Sequence, residues 1–167
     1  MRRKGEQRVH PKDQKLRNTY DRRMPRDNWL KYFRVVRYYV CKKHDVSLPD
    51  LEMLLFLYSE GLFTRSDFSE FEEIMSWDVK RFERLRNNKW IIMWRPAKGS
   101  EPALYEVSLR CKQMIISMYK KLSGEEFISE NKYLNPIFSK DASYMDKVYR
   151  RAIKRLNQEL RQRRAPE

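Results

Sequence analysis

The hydrophobic positions change rhythm most abruptly between Ser76 and Leu109. Met75, Val79, Phe82 and Leu85 recur at helical spacing, and Ser76 offers a side-chain oxygen to the free N–H groups of a first turn. At 100° per residue, Trp77, Lys80, Arg81 and Arg84 gather on the opposite side, so the pattern predicts a helix over about 76–88 that shows three cations and an indole to solvent. Asn87-Asn88 ends it. Trp90 to Arg95 then reads as a strand, 96–102 as a turn-rich loop, and Ala103 to Leu109 as a returning strand, with Arg95, Lys98 and Gly99 marking a basic tip.

Upstream, Asp27 or Asn28 is placed to cap a helix through W-L-K-Y-F-R-V-V-R-Y-Y-V-C-K-K-H. Trp29, Phe33, Val36 and Val40 share one face, widened by Leu30, Tyr32 and Tyr39. Such a wide stripe suits packing on two sides better than a stacking surface for bases. Ser47 with Asp50 forms a capping-box pattern, Pro49 falls in the first turn, Gly61 is a stop, and Leu51, Leu54, Leu55 and Tyr58 make a core face. Thr64 with Asp67 repeats the box, and Phe68, Phe71, Ile74 and Met75 carry a short third helix. Helix, helix, helix, strand, strand is the order of a winged helix-turn-helix, whose recognition helix enters a major groove while the wing lies along phosphate.

After the hairpin, Cys111, Met114, Ile115, Met118 and Leu122 define another helix that stops at Gly124, and 125–140 reads as a short helix and a loop. Asp141 is expected to cap a long helix with Met145, Val148, Tyr149, Ala152, Leu156 and Leu160 on one stripe. That stripe is either a seam between two copies or a lid on the chain's own core. The arginines around it are either a phosphate-facing ridge or a solvated face. The predicted organisation is a basic arm over 1–26, a winged-helix core with its preceding helix over 27–124, and a helical region with a basic tail over 125–167.

From Leu48 through Gln113 the chain resembles the DNA-binding core of the multiple-antibiotic-resistance regulator (MarR) family. S-L-P-D-L-E-M-L-L-F-L resembles that family's second helix, E-R-L-R-N-N-K-W-I its recognition-helix exit into the wing, and Y-E-V-S-L-R-C-K-Q its second wing strand leading into the next helix. Lys89 stands where the family has a glycine, so Asn88 is expected to supply the left-handed residue. The resemblance implies a mainly α fold, duplex DNA as partner, and a two-fold homodimer built from the first helix and the last two. In this chain Trp29, Phe33, Met145, Tyr149, Leu156 and Leu160 would line its interface.

Composition sharpens this picture. The 167 residues carry a net charge of +14, of which +7 lies in residues 1–26 and +5 in residues 142–167. Such an excess favours polyanions through counterion release, and the arm with Arg2, Arg3, Lys4, Arg22 and Arg23 has too few aliphatic residues to order alone. It is either a phosphate-tracking arm or a solvated tail. The expected DNA contacts are therefore Trp77, Lys80, Arg81 and Arg84 on the helix, Arg95 and Lys98 on the wing, and these arm cations. Against them stand Asp67, Glu70, Glu72, Glu73 and Asp78, which would oppose phosphate unless they face away. The alternative function is a structural component of a nucleoprotein assembly, such as a phage virion, in which the fold docks other proteins.

Catalytic chemistry finds no footing in the pattern. The two histidines, His10 and His44, lack partners at triad or metal-ligand spacing, and the four glycines form no phosphate loop. No catalytic residue, metal or cofactor is expected. His44 reads as a helix C-terminal cation favoured by the dipole. Cys41 and Cys111 fall within apolar helical patterns, which suits reduced thiols in a cytoplasm, and neither a membrane span nor a signal peptide is expected.

Overall fold

A computed structural model describes residues 29–75, 78 and 80–164. The arm cations Arg2, Arg3, Lys4, Arg22 and Arg23, the caps expected at Asp27, Asn28 and Ser76, and Trp77 and Val79 lie outside the described residues, as do the side chains of Trp29 and Met75.

Helix α1 spans Trp29–His44 and buries Val36, Tyr39 and Val40, with Tyr32 and Phe33 partly covered. The tyrosines belong to the core. Leu30, expected to widen this face, is exposed instead: six residues from Val36, it is rotated about 120° away from the buried stripe. Helix α2, Leu48–Glu60, is capped by Ser47, whose hydroxyl accepts from the Asp50 N–H at 3.3 Å. Leu51, Met53, Leu54 and Leu57 are buried along it.

Helix α3, Arg65–Met75, has the complete capping box: the Thr64 N–H donates to Asp67 at 2.8 Å, and the Asp67 N–H donates to the Thr64 hydroxyl at 3.2 Å. Phe68 enters the core edge-on to Phe82 at 5.0 Å. Ile74, assigned to the same face by spacing, is exposed; it too lies six residues, about 120°, from the buried Phe68.

Helix α4 is shorter than its pattern predicted, covering Arg81–Asn87. Asp78 heads it, its carboxylate accepting from the Lys80 N–H at 3.1 Å and its carbonyl from the Arg81 N–H at 2.9 Å. Phe82 and Leu85 are buried as expected. The left-handed residue at its exit is Lys89 (φ 57°), not Asn88 (φ −78°). The reason is the closing pattern: Lys89 N–H bonds the Arg86 carbonyl and Trp90 N–H bonds the Leu85 carbonyl, both at 2.9 Å. This Schellman arrangement requires the left-handed turn one residue after the cap, and it swings Trp90 back into the core.

Strands β1 (Ile91–Arg95) and β2 (Leu104–Val107) form an antiparallel hairpin, with Ile91 opposite Val107 and Met93 opposite Tyr105. A bulge at Trp94 shifts the register before Arg95 meets Leu104. Phe63 adds a one-residue bridge, exchanging hydrogen bonds of 2.8 and 3.0 Å with Tyr105. The returning strand ends earlier than predicted because Ser108 caps α5 (Leu109–Ser123), its hydroxyl accepting from the Cys111 N–H at 3.3 Å.

Gly124 closes α5 at φ 85°, a left-handed backbone that calls for glycine, and the end of the Leu160 side chain fills the space a Cβ would take, at 2.7 Å. The short helix expected in 125–140 is absent apart from one 3-10 turn, Pro136–Phe138. Two buried amides replace it: Asn135 accepts from the Ile137 N–H and donates to the Ser129 carbonyl, and Asn157 brackets the Ile128 peptide from both sides. These side chains satisfy backbone groups that a helix would have satisfied itself.

Helix α6, Tyr144–Arg164, is capped by Ser143 rather than Asp141, because Asp146 completes a reciprocal box with Ser143 at 2.9 and 3.1 Å. Tyr149, Ile153, Leu156 and Leu160 are buried, and Tyr38 of α1 stacks on Tyr149 at 3.8 Å. One hydrophobic core thus runs from α1 through the hairpin to α6. The element order over 48–107 is that of a winged helix-turn-helix, with α2 and α3 leading to the recognition position α4 and β1–β2 as the wing. No described helix is long and apolar enough to cross a membrane.

Candidate nucleic-acid interface

Four cations come from α4 and its approach, and the structure divides them. Lys80 is exposed, as predicted. Arg81 is not: it is 3% exposed, with its Nε 3.3 Å from Asp50 and its Nη1 3.7 Å from Glu72. Four residues before the buried Leu85, it lies about 40° round the helix from that side chain and faces Asp50 of α2 and Glu72 of α3 rather than the outer surface. Burial pushes the Glu72 carboxyl pKa up and Arg81 opposes it. An isolated buried carboxylate would be costly, and the guanidinium makes the charge tolerable.

Arg84 stands between the two worlds. Its Nε and Nη2 grip Asp50 at 3.3 and 2.8 Å, Nη2 also meets Asp78 at 2.9 Å, and the side chain remains 41% exposed. These hydrogen bonds raise its own pKa, and the one from Arg84 holds Asp78 below the usual carboxylate range. Two arginines and three carboxylates thus lock α4 to α2 and α3. The Asp50 carboxylate, expected to complete the α2 capping box, faces this network. Of the acidic cluster, Glu72 and Asp78 turn inward to the arginines and Asp67 caps α3, while Glu70 and Glu73 are exposed.

The outward surface of α4 is completed by residues that the helical pattern treated only as a stop. Arg86, Asn87, Asn88 and Lys89 are all exposed at the turn between helix and wing. The run R-N-N-K before a strand was the available signal: two amides and two cations that cannot enter a core. On the wing, Lys98 is exposed at the tip, where its backbone pairs with Glu101 at 3.0 and 3.1 Å around Gly99. Arg95 is less free than its position implied, with Nη1 2.9 Å from Glu101. Beside the wing, Arg110 lies over the Trp90 ring at 4.3 Å. Lys80, Lys89 and Lys98 have no carboxylate partner among the described residues.

The expected dimer seam fares differently. Tyr149, Leu156 and Leu160 are covered by this chain's own α1, α5 and connecting segment, and Phe33 is partly buried in the same core. Their stripe is a lid on the monomer. Of the seam residues with described side chains, only Met145 remains open.

His44 lies edge-on to Trp90 at 6.3 Å. Burial, with Lys43, Arg110 and Lys121 adding to it, pushes its pKa down to about 4, so the neutral form prevails over the cation that the helix terminus would favour. Burial raises both thiols, Cys111 to about 12. Among the described residues no group of three or more His, Cys, Asp or Glu side chains is arranged to hold a metal.

No family model matches the sequence, and no curated protein matches it. Among solved structures, the chain is similar to a crystal structure of a cysteine-to-serine mutant of MarR from E. coli complexed with operator DNA, at 12% identity and a TM-score of 0.40, over 78% of this chain and 86% of that one.

Proposed function

We propose that this chain is a non-enzymatic winged-helix protein that binds double-stranded DNA. The observation that carries the reading is the unpaired cationic rim at the recognition position: Lys80, Lys89 and Lys98 are exposed without carboxylate partners among the described residues, and Arg86, Asn87 and Asn88 lie between them. Lysines are point charges that suit phosphate, so they supply affinity and register. Asn87 and Asn88 supply base selection, since amides pair with adenine edges. The basic arms, including Arg2, Arg3, Lys4, Arg22 and Arg23, add contacts along the backbone, in a cytoplasm where both cysteines stay reduced. A two-fold seam through Tyr149, Leu156 and Leu160 is not part of this proposal, since the chain itself covers them.

Enrichment of duplexes from a random pool tests it. Wild-type protein should select a motif, and Asn87→Ala with Asn88→Ala should flatten that selection more than it lowers bulk affinity. Equal enrichment of every sequence would reduce the proposal to phosphate binding alone.

A second reading, assembly component rather than regulator, is favoured by one observation. Arg81 and Arg84, the arginines that the pattern offered to DNA, are engaged with Asp50, Glu72 and Asp78. Co-purification with a large nucleoprotein complex, with no selected duplex motif, would support it.

A further inference from the structure

Between α2 and α3 lies a surface cavity of about 390 Å³ lined by Leu55, Phe56, Phe71 and Ile74, with Glu52 and Ser59 at its edge. Phe56 and Phe71 meet edge-on at 4.3 Å within it, and Ile74 is 80% exposed. Its surroundings are acidic in a basic chain: residues 48–75 hold seven carboxylates and one arginine, a net −6. Glu60, Glu70 and Glu73 are exposed, with no ion-pair partner among the described residues.

Helix α6 carries the complementary face. Opposite its buried stripe, Tyr144 is 79% exposed and Met145 and Val148 are open beside it. Arg151 and Arg155 continue the same line at helical spacing, flanked by Lys147 and Lys154. The helix holds eight cations and two carboxylates, a net +6. Its inner face is fixed by the Tyr38–Tyr149 stack and the buried Ile153, Leu156 and Leu160, so the outer face cannot turn onto its own chain.

We propose that the α2/α3 groove of one copy receives the first two turns of α6 from a second copy. The apolar groove from Glu52 to Ser59 and the segment from Tyr144 to Arg151 each rise about 10.5 Å, so their lengths match. Tyr144, Met145 and Val148 meet Leu55, Phe56 and Ile74, while Arg151 and Arg155 meet the Glu70 and Glu73 side. The two surfaces differ, so the contact is head-to-tail. Such a contact leaves one groove and one α6 face open on every growing oligomer, and it ends in a ring or an open chain rather than a two-fold dimer. It uses no residue of the α4 exit or the wing.

Sedimentation velocity on the full chain without DNA tests it. The wild-type mass should rise with protein concentration beyond a dimer and fall as salt screens the charges. Ile74→Glu and Val148→Glu should each remain monomeric with unchanged thermal unfolding, since both side chains are exposed. An equimolar mixture of the two should form a one-to-one dimer and nothing larger, because one intact groove and one intact α6 face remain between them. A wild type that stays monomeric, a single variant that self-associates as wild type does, or a mixture that stays monomeric would each overturn the proposal. So would loss of self-association on removing residues 1–26 with the Val148→Glu variant unaffected, which would assign the groove to that segment.

Discussion

Arg81 shows how neighbouring carboxylates decide the role of a side chain. The pattern set it opposite the Val79, Phe82 and Leu85 stripe, yet four residues from the buried Leu85 it lies only about 40° round the helix from it, and the guanidinium sits between Asp50 and Glu72. Removing it would leave two carboxylates in a buried site. Arg81→Ala is therefore expected to destabilise the fold by about 3–5 kcal/mol in urea unfolding, against less than about 1 kcal/mol for the exposed Lys80→Ala. Equal losses would mean that Arg81 is solvated. His44 is the second residue where burial decides. Its folded pKa is depressed to about 4, so its contribution to stability is present above the unfolded value near 6.5 and is lost as pH falls from there to about 4. The loss should reach about 3 kcal/mol at most, and His44→Gln should flatten that part of the pH–stability curve.

At the scale of elements, the local signals that proved legible were those with short-range causes. Ser47, Thr64, Gly61 and Gly124 mark helix ends because a hydroxyl or a missing Cβ acts within a few residues. Signals that left a choice between neighbouring positions were displaced: Ile74 and Leu30, about 120° from the buried stripe, fell off faces drawn too wide, and Asp141 gave up the α6 cap to Ser143. Ser143 was hidden because both residues are good caps, and only Asp146, three residues on, distinguishes them. Ser143→Ala should cost about 1 kcal/mol by thermal unfolding, whereas Asp141→Ala should leave stability within about 0.5 kcal/mol. The reverse order would return the cap to Asp141. The candidate interface was half legible: Lys80 and Lys98 could be read from spacing, but the pairing of Arg81, Arg84 and Arg95 with carboxylates depends on contacts up to 34 residues apart in sequence.

For the whole molecule, the charge is arranged by region more than by sum. A chain of net +14 keeps an acidic surface on α2 and α3, a basic α6, and a cationic rim where α4 meets the wing. The carboxylates on α2 and α3 would oppose a polyanion brought close to them, so the rim and the N-terminal cations carry the proposed contact. The most direct test of this account is the salt dependence of binding to a random-sequence duplex, measured for the wild type and for the triple variant Lys80→Ala, Lys89→Ala, Lys98→Ala. Wild-type affinity should fall linearly with salt on logarithmic axes, and the variant's slope should be shallower by about 0.9 for each phosphate it no longer neutralises, up to about 2.7 in all. An unchanged slope in a folded variant would contradict the placement of the DNA contact at α4 and the wing.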